Sequence, residues 1–148
     1  MNKPALLTIR DLLFDGDQDP DHPAIESPGY EPLTYRGFRE QILVLNKNLS
    51  ARGFRRNDRI AVIMPAGPAM AAMIVSVMTG FAAVPLNSQH REQEFKAIFL
   101  SAGIAAIVIE KDSKTAARTT AGNLHIPVIE IIPGANIWGV LPGGVCPR

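Results

Sequence analysis

The sequence predicts an α/β fold with a mainly parallel sheet and crossover helices in the order βαβαβαβ, preceded by a short helix and a small hairpin. Three observations carry that expectation. From Ile60 to Gln89 the chain holds no Asp, Glu, Lys or Arg, so most of these side chains must be hidden from water or lie in a bilayer. Pro65, Gly67, Pro68, Gly80 and Pro85 cut this run into two short apolar pieces flanking an Ala- and Met-rich piece of helix length. None of the three reaches the roughly 20 uninterrupted apolar residues of a membrane-spanning helix. Apolar strand candidates begin at Arg59, Ala82, Ala105 and Pro127, separated by 23, 23 and 22 residues. Such alternation with helical segments means parallel strands joined by right-handed crossovers. The units share no sequence similarity, so the rhythm is architecture and not an internal repeat.

Taken in order, Leu6, Ile9, Leu12 and Leu13 fit one short amphipathic helix, which Thr8 caps with Asp11 three residues later as the capping-box acid. The acidic Asp15 to Pro23 reads as a loop. Ala24 to Glu26 and Leu33 to Tyr35 are two short strands around Pro28, Gly29 and Pro32. Phe38, Ile42, Leu45 and Leu49 then step by four, three and four, one stripe of a helix over Arg36 to Arg52 that Gly53 stops. Between the later strands lie helices over Ala69 to Thr79, Arg91 to Ser101 (ended by Gly103) and Lys114 to Asn123. Pro133 to Arg148 differs, being rich in Gly and Pro without periodicity. We therefore expect residues 1–132 to form the α/β unit and 133–148 an irregular tail. A fold of this class covers both faces of its sheet, a task for which that tail is unsuited, and the chain reads as one that stops in mid-construction.

Composition excludes several classes of function. The 148 residues are 47% hydrophobic and 20% charged, with a formal net charge of +1. Such a balance is that of a globular domain and gives no footprint for nucleic acid or a charged membrane surface. Arg52, Arg55 and Arg56 crowd one helix end, where cations suit the dipole. Without aromatic interleaving or a second basic patch they read as a solvated terminus. The single Cys146 forms neither an intrachain disulfide nor a metal cluster by itself. Lys3, Asp11 and Asp15 leave too short an apolar patch for a signal peptide, and we expect a cytoplasmic protein without a transmembrane segment.

The search for chemistry assigns no catalytic, cofactor-binding or metal-binding residue. No G-x-G-x-x-G occurs, and although Gly134 and Gly139 have P-loop spacing, Val140 and Leu141 stand where Lys and Ser or Thr must hold phosphate and metal. His22, His90 and His125 form no H-x-x-x-H or H-E-x-x-H pair. Ser27, Ser50, Ser76, Ser88 and Ser101 lie outside any G-x-S-x-G elbow, and Ser76 is expected to bond back to the preceding helical turn. Asn48-Leu49-Ser50 matches a glycosylation acceptor but falls within a helix. Glu92 and Glu94 suit a helix start, and Met64, Met70, Met73 and Met78 read as core filling.

Three phrases in register carry a resemblance. Leu33-Thr34-Tyr35 with Phe38, then Asn57-Asp58-Arg59-Ile60-Ala61-Val62, then Gly80-Phe81-Ala82-Ala83-Val84-Pro85-Leu86-Asn87 together resemble the opening of the adenylate-forming (AMP-binding) enzymes of acyl-CoA synthetase type. Asn57 replaces that family's usual Gly, and Thr79 its usual Ala. Arg91-Glu92-Gln93-Glu94-Phe95 and Ser101-Ala102-Gly103 are also similar, with the bias of the family's bacterial and plant-type acyl-CoA synthetases, including those for short acids such as oxalate. The resemblance covers about Leu7 to Ile132 and implies the N-terminal subdomain of the adenylate-forming fold.

The activity it implies is ATP-dependent activation of a carboxylate as its acyl-adenylate, followed by attack of the CoA thiol. ATP, Mg²⁺ and CoA are thus implied for the full-length family, and no cofactor for this chain. The family's Ser/Thr/Gly-rich phosphate loop, its later acids for ribose and Mg²⁺ and its C-terminal Lys have no counterpart in these 148 residues. We accordingly expect an N-terminal fragment, inactive alone, whose partner is the remaining part of the ligase chain. Two alternatives stay open: a non-catalytic interaction module or subunit of a split ligase, and a small flavodoxin-like nucleotide binder with its site at the strand C-termini.

Overall fold

The structure is a computed structural model that describes residues 8–132. The expected Gly- and Pro-rich tail and Cys146 lie outside the described residues. Helix α1 (Ile9–Phe14) starts in the expected capping box, with Asp11 N donating to Thr8 Oγ1 at 3.1 Å and Thr8 N to Asp11 Oδ2 at 3.0 Å. Strands β1 (Pro23–Ile25) and β2 (Leu33–Thr34) pair antiparallel as the small hairpin. Helix α2 (Tyr35–Ala51) follows, capped by Thr34, whose Oγ1 accepts from Gly37 N at 3.2 Å. Beyond its end Gly53 takes φ +87°, a conformation costly for any side chain.

The seven elements that follow are β3 (Arg59–Met64), α3 (Pro68–Met78), β4 (Ala82–Asn87), α4 (Glu92–Ala102), β5 (Ile104–Glu110), α5 (Ala116–Asn123) and β6 (Val128–Ile131). They build one parallel sheet in the order β4-β3-β5-β6. The chain first steps from β3 to one side, then crosses back over it to β5 and continues outward. Because right-handed crossovers in opposite directions must run on opposite faces, α3 lies on one face and α4 and α5 on the other.

Both faces are covered within the described residues, which corrects the expectation that cover is missing. On one side Ile60, Val62, Met64 and Val108 pack with Leu45 and Leu49 of α2 and Met73 and Val77 of α3. On the other, Ala61, Ile63, Ile107 and Ile109 pack with Phe95 and Phe99 of α4 and Ala117 and Ala121 of α5. The apolar run is thus buried at its centre: residues 60–63 expose none of their surface. Burial of each such large side chain stabilises by about 1.5–3 kcal/mol.

The run is not uniformly interior, however. Met78, expected in the core, is 45% exposed at the end of α3, and β4 is an edge strand whose residues are half-buried or exposed. Met64 and Met73 do fill the core. Ser76 bonds back as expected, its Oγ donating to Ala72 O at 2.7 Å. Among the described residues no helix is long and apolar enough to cross a membrane.

Candidate functional site

In an open parallel sheet, ligand crevices form beyond the carboxyl ends of strands where consecutive crossovers leave in opposite directions. Here that point lies between β3 and β5, and three loops surround it. The first, Pro65-Ala66-Gly67, leads into α3, where Pro68 occupies the first turn and no side chain caps the amides. Nothing stands within 4 Å of a Cβ placed on Gly67.

The second loop, Ser88 to Arg91, is locked from within. Asn87 Oδ1 accepts from Gln89 N at 2.9 Å, and Arg91 N donates to Glu94 Oε2 at 2.7 Å. His90 lies edge-on to the buried Phe95 with ring centroids 5.5 Å apart. The third loop, Lys111 to Thr115, is clasped to the second: Thr115 Oγ1 donates to Ser88 O at 2.9 Å. Arg118 of α5 adds a second restraint. Its Nη2 donates to Lys111 O at 2.7 Å while its Nη1 pairs with Glu130 of β6.

These side chains fix the loops. Thr115, Glu94 and Asn87 bond to backbone groups, and Arg118 to backbone carbonyls and to Glu130. Among the described residues no three of His, Cys, Asp or Glu lie close enough to share a metal ion. The hollow lined by Arg91, Glu92, Gln93, Glu94 and Lys96 is one exposed helical turn, with acids at the positive end of the helix dipole where a solvated surface places them. The Thr115 clasp has no local signature, because its partner Ser88 lies 27 residues away.

The arrangement is an open, parallel α/β unit with a crevice at the carboxyl ends of β3 and β5. The AMP-binding enzyme family matches residues 15–136, and this chain belongs to that family. It is 30% identical over 100 residues to surfactin synthase subunit 2 of Bacillus subtilis (strain 168), an alignment spanning 67% of this chain and 3% of that protein. Among solved structures, apo MatB from Rhodopseudomonas palustris superposes with a TM-score of 0.72 at 20% identity, over 85% of this chain and 25% of that one. The nonribosomal peptide synthetase FmoA3 in its AMPPNP-bound form gives 0.67 at 19% identity, over 100% of this chain and 15% of its own. The chain therefore spans a quarter or less of each of these relatives, and the likeness to the two solved structures is one of fold.

Proposed function

We propose that this chain supplies the N-terminal α/β subdomain, residues 1–132, of an ATP-dependent carboxylate-activating ligase of acyl-CoA synthetase type. The observation that carries the reading is the family match over residues 15–136. In that role β3 to β6 form a rigid platform, and the loops at their carboxyl ends are held by Thr115 and Arg118 for residues contributed from elsewhere. ATP, Mg²⁺ and CoA belong to the complete enzyme, whose remaining chain is the partner of this one. A cytoplasmic setting is part of the same proposal.

A second reading, activation of an amino acid in a peptide synthetase, is favoured by the 30% identity to surfactin synthase subunit 2. The two readings separate by product. The complete enzyme of the first makes a CoA thioester of a simple acid, that of the second an aminoacyl-adenylate.

ATP-dependent hydroxamate formation by the purified 148-residue chain, run against simple carboxylic acids and amino acids, tests the shared part. We expect no product with either panel, because the phosphate loop and catalytic Lys are absent from the sequence. Turnover with any acid would overturn the proposal.

A further inference from the structure

At the opposite end of the sheet, beneath the amino ends of β3 and β4, α1, α2 and two loops line an open cleft of about 400 Å³. Its wall includes Arg10 of α1, Ser50 of α2, Phe54, Arg55 and Arg56 of the loop into β3, and Phe81. Sequence alone presented Arg55 and Arg56 as a solvated helix end. The fold adds Arg10, some 45 residues earlier in the chain, and two aromatic rings, of which Phe81 is buried and Phe54 half-buried.

The loop that presents the two arginines is held in shape. Gly53 turns it with a positive φ, Phe54 N donates to Leu49 O at 3.3 Å, and Arg55 N donates to Asp58 Oδ2 at 2.7 Å. Arg10 is oriented over the ring of Phe14, 4.8 Å from its centroid. No ion pair at these three guanidinium groups is found among the described residues. The ends of α2 and α3 bring about half a negative charge each, and Asp58 one more. Three full cationic charges leave an excess of positive charge facing the cleft.

We propose that this cleft binds a small phosphate monoester with a compact apolar body. A phosphate offers three oxygens to several planar guanidinium forks, whereas a carboxylate satisfies one fork bidentately. Phe54 and Phe81 give the apolar wall that small-molecule sites combine with a few convergent polar groups, and the volume lies at the small end of such sites. The inference rests on the fold and is independent of the activity proposed for the complete enzyme.

Titration of the 148-residue chain with phenyl phosphate, followed by backbone amide NMR shifts, tests it. We expect saturable shifts confined to Arg10, Gly53–Asn57 and Gly80–Phe81, weakened about tenfold for each arginine replaced in Arg55→Gln and Arg56→Gln. Arg56→Lys keeps the charge but loses the fork, and should weaken binding in a chain whose remaining spectrum is unchanged. Arg91→Gln, at the other end of the sheet, should bind as the parent does. The proposal is overturned by non-saturable shifts, by shifts spread over other surface arginines, by undiminished binding in the Arg55→Gln/Arg56→Gln protein, or by equal affinity for inorganic phosphate.

Discussion

Asn46 and Thr79 tie α2 to the end of α3: Asn46 Nδ2 donates to Thr79 Oγ1 at 2.7 Å, and Thr79 Oγ1 donates to Ser76 O at 2.7 Å. The single hydroxyl proton of Thr79 is committed to a carbonyl that can only accept, so the Asn46 amide must be the donor. Its Oδ1 is left buried without a hydrogen-bond partner. Thr79 stands where the resembling enzymes usually carry Ala. We predict that Thr79→Ala lowers stability by about 1–2 kcal/mol, read as a lower urea midpoint at unchanged slope.

Gly80 is required beside that pair. A Cβ there would stand 2.8 Å from Asn46 Oδ1 and 3.0 Å from its Cγ, and Asn46 cannot turn away without releasing Thr79. Gly80→Ala should therefore cost about 1–3 kcal/mol as an overpacked contact. Asn46→Ala removes the obstructing atoms, so the double variant should lose less than the two single losses added together. Additive losses in a double-mutant cycle would show that the two residues do not interact.

Phe95 and Phe99 are the largest side chains on the α4–α5 face of the sheet, and their rings lie 5.5 Å apart. Phe95 is wholly buried. Replacement by Ala should cost about 3–5 kcal/mol, a large share of the roughly 5–15 kcal/mol that stabilises an ordinary domain. Thermal unfolding followed by circular dichroism would show this as a markedly lower midpoint.

Arg118 holds the β5–α5 loop by Lys111 O and Glu110 O and pairs with Glu130, all partly open to water. Solvent screening keeps the global contribution small, about 1 kcal/mol or less. The local effect should be larger. In Arg118→Gln we expect trypsin to cut after Lys111 and Lys114 sooner than in the parent, with cleavage after Arg59 in β3 unchanged.

Much of this fold was legible because its signals are local. The charge-free stretch around Ile60–Met64, the 23-residue spacing of strands and the capping pair Thr8 and Asp11 each follow from residues a few positions apart. Element ends fell within about two residues of those expected, as fraying termini allow. What the sequence withheld depends on contacts between distant segments. The order β4-β3-β5-β6, the Thr115–Ser88 clasp and the approach of Arg10 to the Arg55 loop are set by crossover direction and packing, which leave no periodicity to read. The exposure of Met78 escaped for a related reason: an edge strand and a helix end lack the second layer that burial needs.

Native-state amide exchange of the 148-residue chain tests the central claim most directly, namely that residues 8–132 close their own core around β3 and β5. We predict that amides of Ile60–Met64 and Ala106–Ile109 exchange only through global unfolding, as one cooperative set, with the loop Lys111–Lys114 far faster. Exchange of these strand amides at the rate of an unfolded chain would contradict the account.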